Sequence, residues 1–282
     1  MPNTLQTWLD WGTNCLLTTS ESALLDAEIL LCHCLAKNRS FLRAWPEQSM
    51  PFIQLQQYQQ LISQRQHGTP IAYLTGQREF WSRNFSVNPS VLIPRPDSEL
   101  LIELSLKFFT NQPASNILDL GTGSGILAIT LAAELAQATV WATDLSPTAL
   151  NTAKANAEQL NLKNIEFRLS DWLTGLPKIS FDLIVSNPPY IAENDPHLCQ
   201  GDLRYEPISA LVSPENGLQD IRIITAQARE FLSPNGQLLI EHGYNQADAV
   251  QALFSTAAFQ DIHTHCDLSG QPRVTSGKWN PL

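Results

Sequence analysis

Two stretches of this 282-residue chain hold residue types and spacings that could do chemistry. The first is Asn187-Pro188-Pro189-Tyr190, which ends the apolar run of residues 181–186. The Asn187 side chain offers a carbonyl acceptor. Pro188 has no N–H, and its backbone carbonyl adds a second acceptor in a fixed direction. Together they could hold both N–H bonds of a planar NH2 group and aim its delocalised lone pair, while Tyr190 lies flat against the group. Such a site, lined by Asn187, Pro188, Pro189 and Tyr190, works by positioning and preorganised dipoles and needs no metal and no covalent intermediate. The tetrapeptide alone leaves open whether the NH2 belongs to an adenine or to an amide.

The second stretch is Asp119-x-Gly121-Thr122-Gly123-Ser124-Gly125, a glycine-rich turn between an apolar strand and a helix. The glycines let backbone approach a ligand closely. Asp144, 23 residues after Gly121, ends the next strand, where a carboxylate can accept from both hydroxyls of a ribose. That much fits NAD or S-adenosylmethionine. Asp119 ahead of the glycines and Asp171-Trp172 after the third strand resemble a class I S-adenosylmethionine methyltransferase. The resemblance implies that Asp171 accepts from the adenine amino group and that Trp172 lies beside the ring. A sulfonium cation suits a crevice rimmed by Asp119, Asp144 and Asp171. The expected cofactor set is therefore Asp119, Gly121, Thr122, Gly123, Ser124, Gly125, Asp144, Asp171 and Trp172, with Asn187 at the reacting end. The reaction is then an in-line displacement at a methyl carbon by the NH2 held at residues 187–190.

These residues need a scaffold that gathers strand ends. After Arg95 the pattern alternates strands (116–120, 139–144, 165–170, 181–186, 236–243) with helices (125–136, 147–160, 218–232, 246–257) and closes on two consecutive strands. Alternation of this kind predicts an α/β fold, Rossmann-like, with a mostly parallel seven-stranded sheet, an antiparallel edge and helices on both faces. Reactive groups in such sheets collect at the carboxyl ends of the strands. Residues 1–75 read instead as a helical bundle: Leu24, Leu25, Ile29, Leu30 and Leu31 fall at helical spacings behind Ser20 or Ser22 as caps, and Leu55, Tyr58, Leu61 and Ile62 repeat the pattern before Gly68. Residues 76–94 read as a β-hairpin linker, leaving 95–282 as the domain that carries the site.

Net charge is −10 with 43% hydrophobic residues, which suits a soluble protein and disfavours a phosphate-gripping partner of duplex DNA. No apolar run approaches the ~20 residues of a membrane span, and the N-terminus lacks a secretory pattern, so a cytoplasmic protein without membrane contact is expected. The five cysteines have no disulfide or zinc-site spacing, and no metal is expected. Arg204 and Glu206 read as a pair holding a loop after the tetrapeptide. His197, His263 and His265 read as surface residues.

Across residues 20–280 the chain resembles the bacterial release-factor glutamine methyltransferases (PrmC/HemK type). The resemblance rests on EFWSRNFSVNPSVLIPRPDSELLIE, DLGTGSG, NPPYI, GDLRYEPISALVSPENGL, LSPNGQLLIEHGYNQ and DLSGQPRV, in that order. It implies transfer of a methyl group from S-adenosylmethionine to the side-chain amide nitrogen of the glutamine in a Gly-Gly-Gln loop, with S-adenosylhomocysteine as product. Peptide-chain release factors are the implied protein partners, docked partly by the N-terminal bundle of a monomer. It also places Phe80 and Pro94-Arg95-Pro96 near the mouth of the site. Two departures are local: Asp97-Ser98-Glu99 stands where Glu-Thr-Glu is expected, and Ser82 lies near an expected glycine.

Overall fold

A computed structural model describes residues 3–111, 113 and 116–281, and the chain divides into two compact units. The first comprises residues 1–77 together with 197–205. It contains α1 (Leu5–Leu16), α2 (Ala23–Leu35), α3 (Arg39–Ala44), α4 (Phe52–Gln66) and α5 (Ile71–Thr75). Local chemistry starts two of these: Thr4 Oγ1 accepts from Thr7 N ahead of α1, and Asn38 Oδ1 accepts from Phe41 N ahead of α3. Ser22 is the N-cap residue of α2, but its hydroxyl makes no capping bond. The Ser20 and Ser22 hydroxyls donate to Asp26 instead, which is buried and also receives Arg65 Nε at 2.7 Å. That buried charge rotates the helix from its expected face. Ala23, Ala27, Leu30 and Leu31 join the core with Leu5, Leu16, Tyr58 and Ile62, whereas Leu24 and Leu25 are exposed.

Residues 197–205, expected within the site-bearing domain, belong to this first unit. Arg65 Nη1 reaches Asp202 Oδ1 at 3.3 Å, and the Tyr205 hydroxyl donates to the His67 carbonyl. Gly68, at φ +97°, follows the end of α4 as expected.

The second unit, residues 78–196 and 206–282, takes up the chain within the hairpin β1 (Gln77–Phe80) and β2 (Arg83–Ser86). Its turn residues Trp81 and Ser82 both have positive φ without a glycine. Their N–H groups donate to Glu99 and Glu79. Then follow α6 (Glu99–Phe108), β3 (Asn116–Leu120), α7 (Ile126–Glu134), β4 (Thr139–Asp144), α8 (Pro147–Gln159), β5 (Ile165–Leu169) and β6 (Phe181–Ser186). The chain closes with α9 (Pro214–Gly217), α10 (Gln219–Ala228), β7 (Leu232–Glu241), α11 (Ala247–Thr256), β8 (Gln260–Cys266) and β9 (Pro272–Lys278). The helix expected over 218–232 stops at Ala228, and β7 starts four residues early because Leu232 already pairs with Phe181 ahead of a register shift.

The seven strands run in the order β5-β4-β3-β6-β7-β9-β8, parallel except for the β9 and β8 edge, as expected of this fold. Alternation along β3 explains the two cores. Ile117 faces the α6 and α7 side with Leu101, Leu127 and Leu131, while Leu118 and Leu120 face the α10 and α11 side with Ile221, Ile224 and Phe254. The strand order turns between β3 and β6, the switch point where ligands bind in open α/β sheets. Register there is level: Leu120 pairs with Thr143 on β4 and with Ser186 on β6, and Ser186 pairs with Ile240 on β7. Gly121, Asp144, Asn187 and Glu241 each follow this row immediately.

Candidate active site

The glycine loop is built from beneath. Asp119 is fully buried, and its Oδ2 accepts from Thr122 Oγ1 at 2.6 Å and from Ala128 N at 3.1 Å. Burial pushes its carboxyl up to about 7 against the pull of those bonds, and Oδ1 has no partner among the described residues. Asp119 therefore ties the loop to α7 and does not line the cavity above, contrary to its expected place on the rim. Gly125 is likewise a packing residue: at φ +88°, its added Cβ would lie 2.6 Å from Ile129 Cδ1 and 3.1 Å from Ala153 Cβ. Asn156 on α8 completes the frame by donating to the carbonyls of Ser124 and Ser86.

Above the loop lies a cavity of about 620 Å³, within the range of small-molecule sites. Gly121, Thr122, Gly123 and Ser124 form its floor, and Asp144, Asp171, Trp172, Asn187 and Pro189 also line it. At Gly123 a Cβ would meet nothing within 4 Å, so this backbone borders open space. Asp144 accepts from Gly123 N at 2.9 Å and Ser146 N at 2.8 Å. Burial raises its carboxyl above the ordinary range, and each oxygen retains a further lone pair for a ligand. Trp172 holds a left-handed backbone at φ +48°, its ring 3.4 Å from where a Gly121 Cβ would stand, and its Nε1 donates to Asp220 Oδ1 at 3.2 Å. Three carboxylates, Asp144, Asp171 and Asp220, face the cavity, and no Lys or Arg among the described residues lines it.

At the end of β6 the four expected residues split. Asn187 and Pro189 line the cavity; Pro188 is buried, and Tyr190 packs against the α10 and α11 core. Asn187 Nδ2 donates to Ser98 Oγ at 2.9 Å, and Ser98 Oγ donates to Glu241 Oε2 at 2.7 Å. The Tyr190 hydroxyl donates to Glu241 Oε1 at 3.3 Å, and Tyr190 is not among the residues that line the cavity, contrary to its expected place against the NH2 group. Its carbonyl accepts from Gln246 Nε2 at 2.9 Å, and a Cβ on Gly217 would stand 2.0 Å from that oxygen. Burial, then the nearby Glu241 charge, raises the Tyr190 phenol far above its ordinary range. Burial also lifts Glu241 to about 7. Among the described residues no group donates to the Pro188 carbonyl or to Asn187 Oδ1.

Sequence reasoning missed Ser98 and Glu241. Glu241 carried a signal, an acidic residue closing the apolar run Leu238–Ile240, and Ser98 keeps a hydroxyl where the resemblance expects a threonine. Other expected residues fall as follows. Glu206 is buried and accepts from Ile93 N at 3.0 Å and from Arg95, and Arg204 Nε donates to the Gly201 carbonyl. Pro94 lines the cavity, but Phe80 sits in the core edge-to-face with Phe85.

Comparison with known proteins accords with this architecture. Residues 7–76 match the family described as the PrmC N-terminal domain, and residues 111–279 match the family described as a methyltransferase domain. A methyltransferase structure from Pyrococcus furiosus shares the fold at a TM-score of 0.53 and 14% identity, over 78% of this chain and 98% of that one. The release factor glutamine methyltransferase of Shewanella oneidensis is 45% identical over 97% of this chain and 96% of its own length. That of Escherichia coli is 46% identical over 93% and 95%. With such identity along nearly the whole of both chains, this protein belongs to the release factor glutamine methyltransferase family.

Proposed function

We propose that the protein transfers a methyl group from S-adenosylmethionine to the side-chain amide nitrogen, N5, of the glutamine in the Gly-Gly-Gln loop of peptide-chain release factors. The observation that carries this reading is the acceptor pair at the end of β6. Asn187 Oδ1 and the Pro188 carbonyl have no described donor, and Asn187 lines the cavity floored by the glycine loop. Two fixed acceptors match the two N–H bonds of a primary amide.

The cavity's donor set suits the cofactor. Three carboxylates, with no lining cation among the described residues, favour a sulfonium over the pyrophosphate of NAD. Asp144 would receive the ribose hydroxyls, Asp171 the adenine amino group, Trp172 would lie beside the ring, and Gly121 to Ser124 would border the rest. When bound, S-adenosylmethionine supplies a methyl carbon whose bond to sulfur breaks as the amide nitrogen bonds to it, the electron pair returning to sulfur. Asn187 and Pro188 hold the NH2 so that its lone pair, otherwise delocalised into the amide, points at that carbon. The surplus proton on nitrogen then passes to water. Tyr190 serves from behind, holding the turn that presents Asn187.

Residues 1–75 act in docking the release factor, and the protein works as a cytoplasmic monomer without duplex DNA, in keeping with its charge of −10. The deciding experiment incubates the protein with cofactor and either a release factor or duplex DNA, then maps the methyl group by mass spectrometry. Methyl on the Gly-Gly-Gln glutamine is expected. Methyl on adenine alone overturns the reading.

A further inference from the structure

An asparagine amide is nearly symmetric in shape but opposite in chemistry at its two ends. Only Oδ1 can receive an N–H from a substrate amide; Nδ2 turned to the cavity would meet donors with a donor. Something must choose between the two orientations, and no group in the cavity lining bonds the Asn187 side chain among the described contacts.

The choice is made behind the cavity wall. Glu241 closes β7 one residue beyond Ile240, whose partner on β6 is Ser186, so Glu241 and Asn187 leave adjacent strands at one level. Glu241 is fully buried, and its two oxygens take the hydroxyls of Ser98 and Tyr190. A serine hydroxyl has one proton. While Glu241 is ionised that proton is committed to it, so Ser98 Oγ can show Asn187 only lone pairs, and lone pairs require the Nδ2 end. Ser98 is itself fully buried, so no water competes for the position. We infer that Ser98 and Glu241 are positioning residues for methyl transfer: a carboxylate–hydroxyl relay that fixes which end of the Asn187 amide faces the substrate. The inference rests on the proposed role of Asn187 as acceptor for the glutamine NH2. Neither residue lines the cavity, so both act through Asn187.

The relay makes demands that a merely buried pair would not. Ser98→Ala removes the acceptor for Nδ2. Glu241→Met keeps volume but frees the Ser98 proton to turn towards Asn187, so that either amide end becomes acceptable. Both are expected to lower kcat about ten-fold or more, with the affinity for S-adenosylhomocysteine held within about two-fold. Ser98→Thr keeps the hydroxyl and is expected to recover most of the turnover.

The test measures kcat and KM on a release factor, S-adenosylhomocysteine binding by calorimetry, and thermal unfolding. It compares the full-length wild type, these variants, Asn187→Ala and the Asn187→Ala/Ser98→Ala double variant. The relay predicts that Ser98→Ala adds no further loss once Asn187 is gone. Wild-type kcat in folded Ser98→Ala and Glu241→Met, or an equal additional loss in the Asn187→Ala background, overturns it. Wild-type turnover in Asn187→Ala would instead defeat the acceptor role of Asn187 itself, so the two failures are distinguishable. A measurement on the wild type stands even if the buried variants do not fold. The Asn187 side-chain amide resonance, identified by its disappearance in Asn187→Ala, should show one proton slowed in exchange with solvent. Two freely exchanging protons overturn the relay.

Discussion

Asp119 offers a quantitative test of how the glycine loop is held. Its carboxyl is fully buried beneath the loop, one oxygen is bonded to Thr122 and Ala128, and the other has no partner among the described residues. Raising this group from 3.8 to about 7 makes its ionisation in the folded protein less favourable by about 4 kcal/mol. Between those two values the native state holds a proton that the unfolded chain has released. Stability therefore falls as pH rises through this window and levels off above about 7. Asp119→Asn keeps the shape and an oxygen for Thr122 and Ala128 but cannot ionise. Urea unfolding of the ligand-free wild type and variant at pH 5 and pH 8 isolates the effect, because the other carboxyls raised by burial, Asp144 and Glu241, are present in both and cancel to first order. The stability of Asp119→Asn relative to wild type should improve by about 3 kcal/mol between the two pH values. A relative stability that changes by less than about 0.5 kcal/mol would show that Asp119 is not held protonated by its burial, and the reasoning about the loop would fail with it.

Three further outcomes follow from contacts at the site. Gly217→Ala forces a Cβ to within 2.0 Å of the Tyr190 carbonyl at φ +84°, and should cost about 3 kcal/mol or more in thermal unfolding; a loss under about 1 kcal/mol would contradict the close approach. Glu206→Ala leaves the Ile93 N–H and Arg95 without their buried acceptor and should cost about 3 kcal/mol in chemical unfolding, with near-neutral behaviour arguing against a structural role for the pair. Trp172→Ala should weaken S-adenosylhomocysteine binding about ten-fold or more by calorimetry, and unchanged affinity would remove the indole from the ligand site.

Much of the fold was legible because its signals are local. Apolar runs marked β3, β4 and β6 to the residue, since a buried parallel strand must be apolar on both faces. Asn187, Asp144 and the glycine loop could be placed together for the same reason: each follows such a run, and a parallel sheet brings the carboxyl ends to one edge. What stayed hidden depends on partners distant in sequence. The burial of Asp26, and with it the turn of α2 that exposes Leu24 and Leu25, depends on Arg65. Ser98 has meaning only beside Asn187 and Glu241, which lie 89 and 143 residues away. Asp119 looked like a ligand contact because its position in the motif is recognisable, while its burial under the loop is a property of packing.

The passage of residues 197–205 into the first unit has a consequence in time. The Asp202 partner of Arg65 lies 137 residues further along the chain, and Tyr205 lies 138 residues beyond the carbonyl of His67. At about 5–20 residues per second, a ribosome needs roughly ten seconds to supply them. Throughout that interval the N-terminal helices have left the tunnel with Arg65 lacking one of its two carboxylates. The bundle thus precedes the sheet in synthesis, yet it is finished only after β6 and Asn187 already exist.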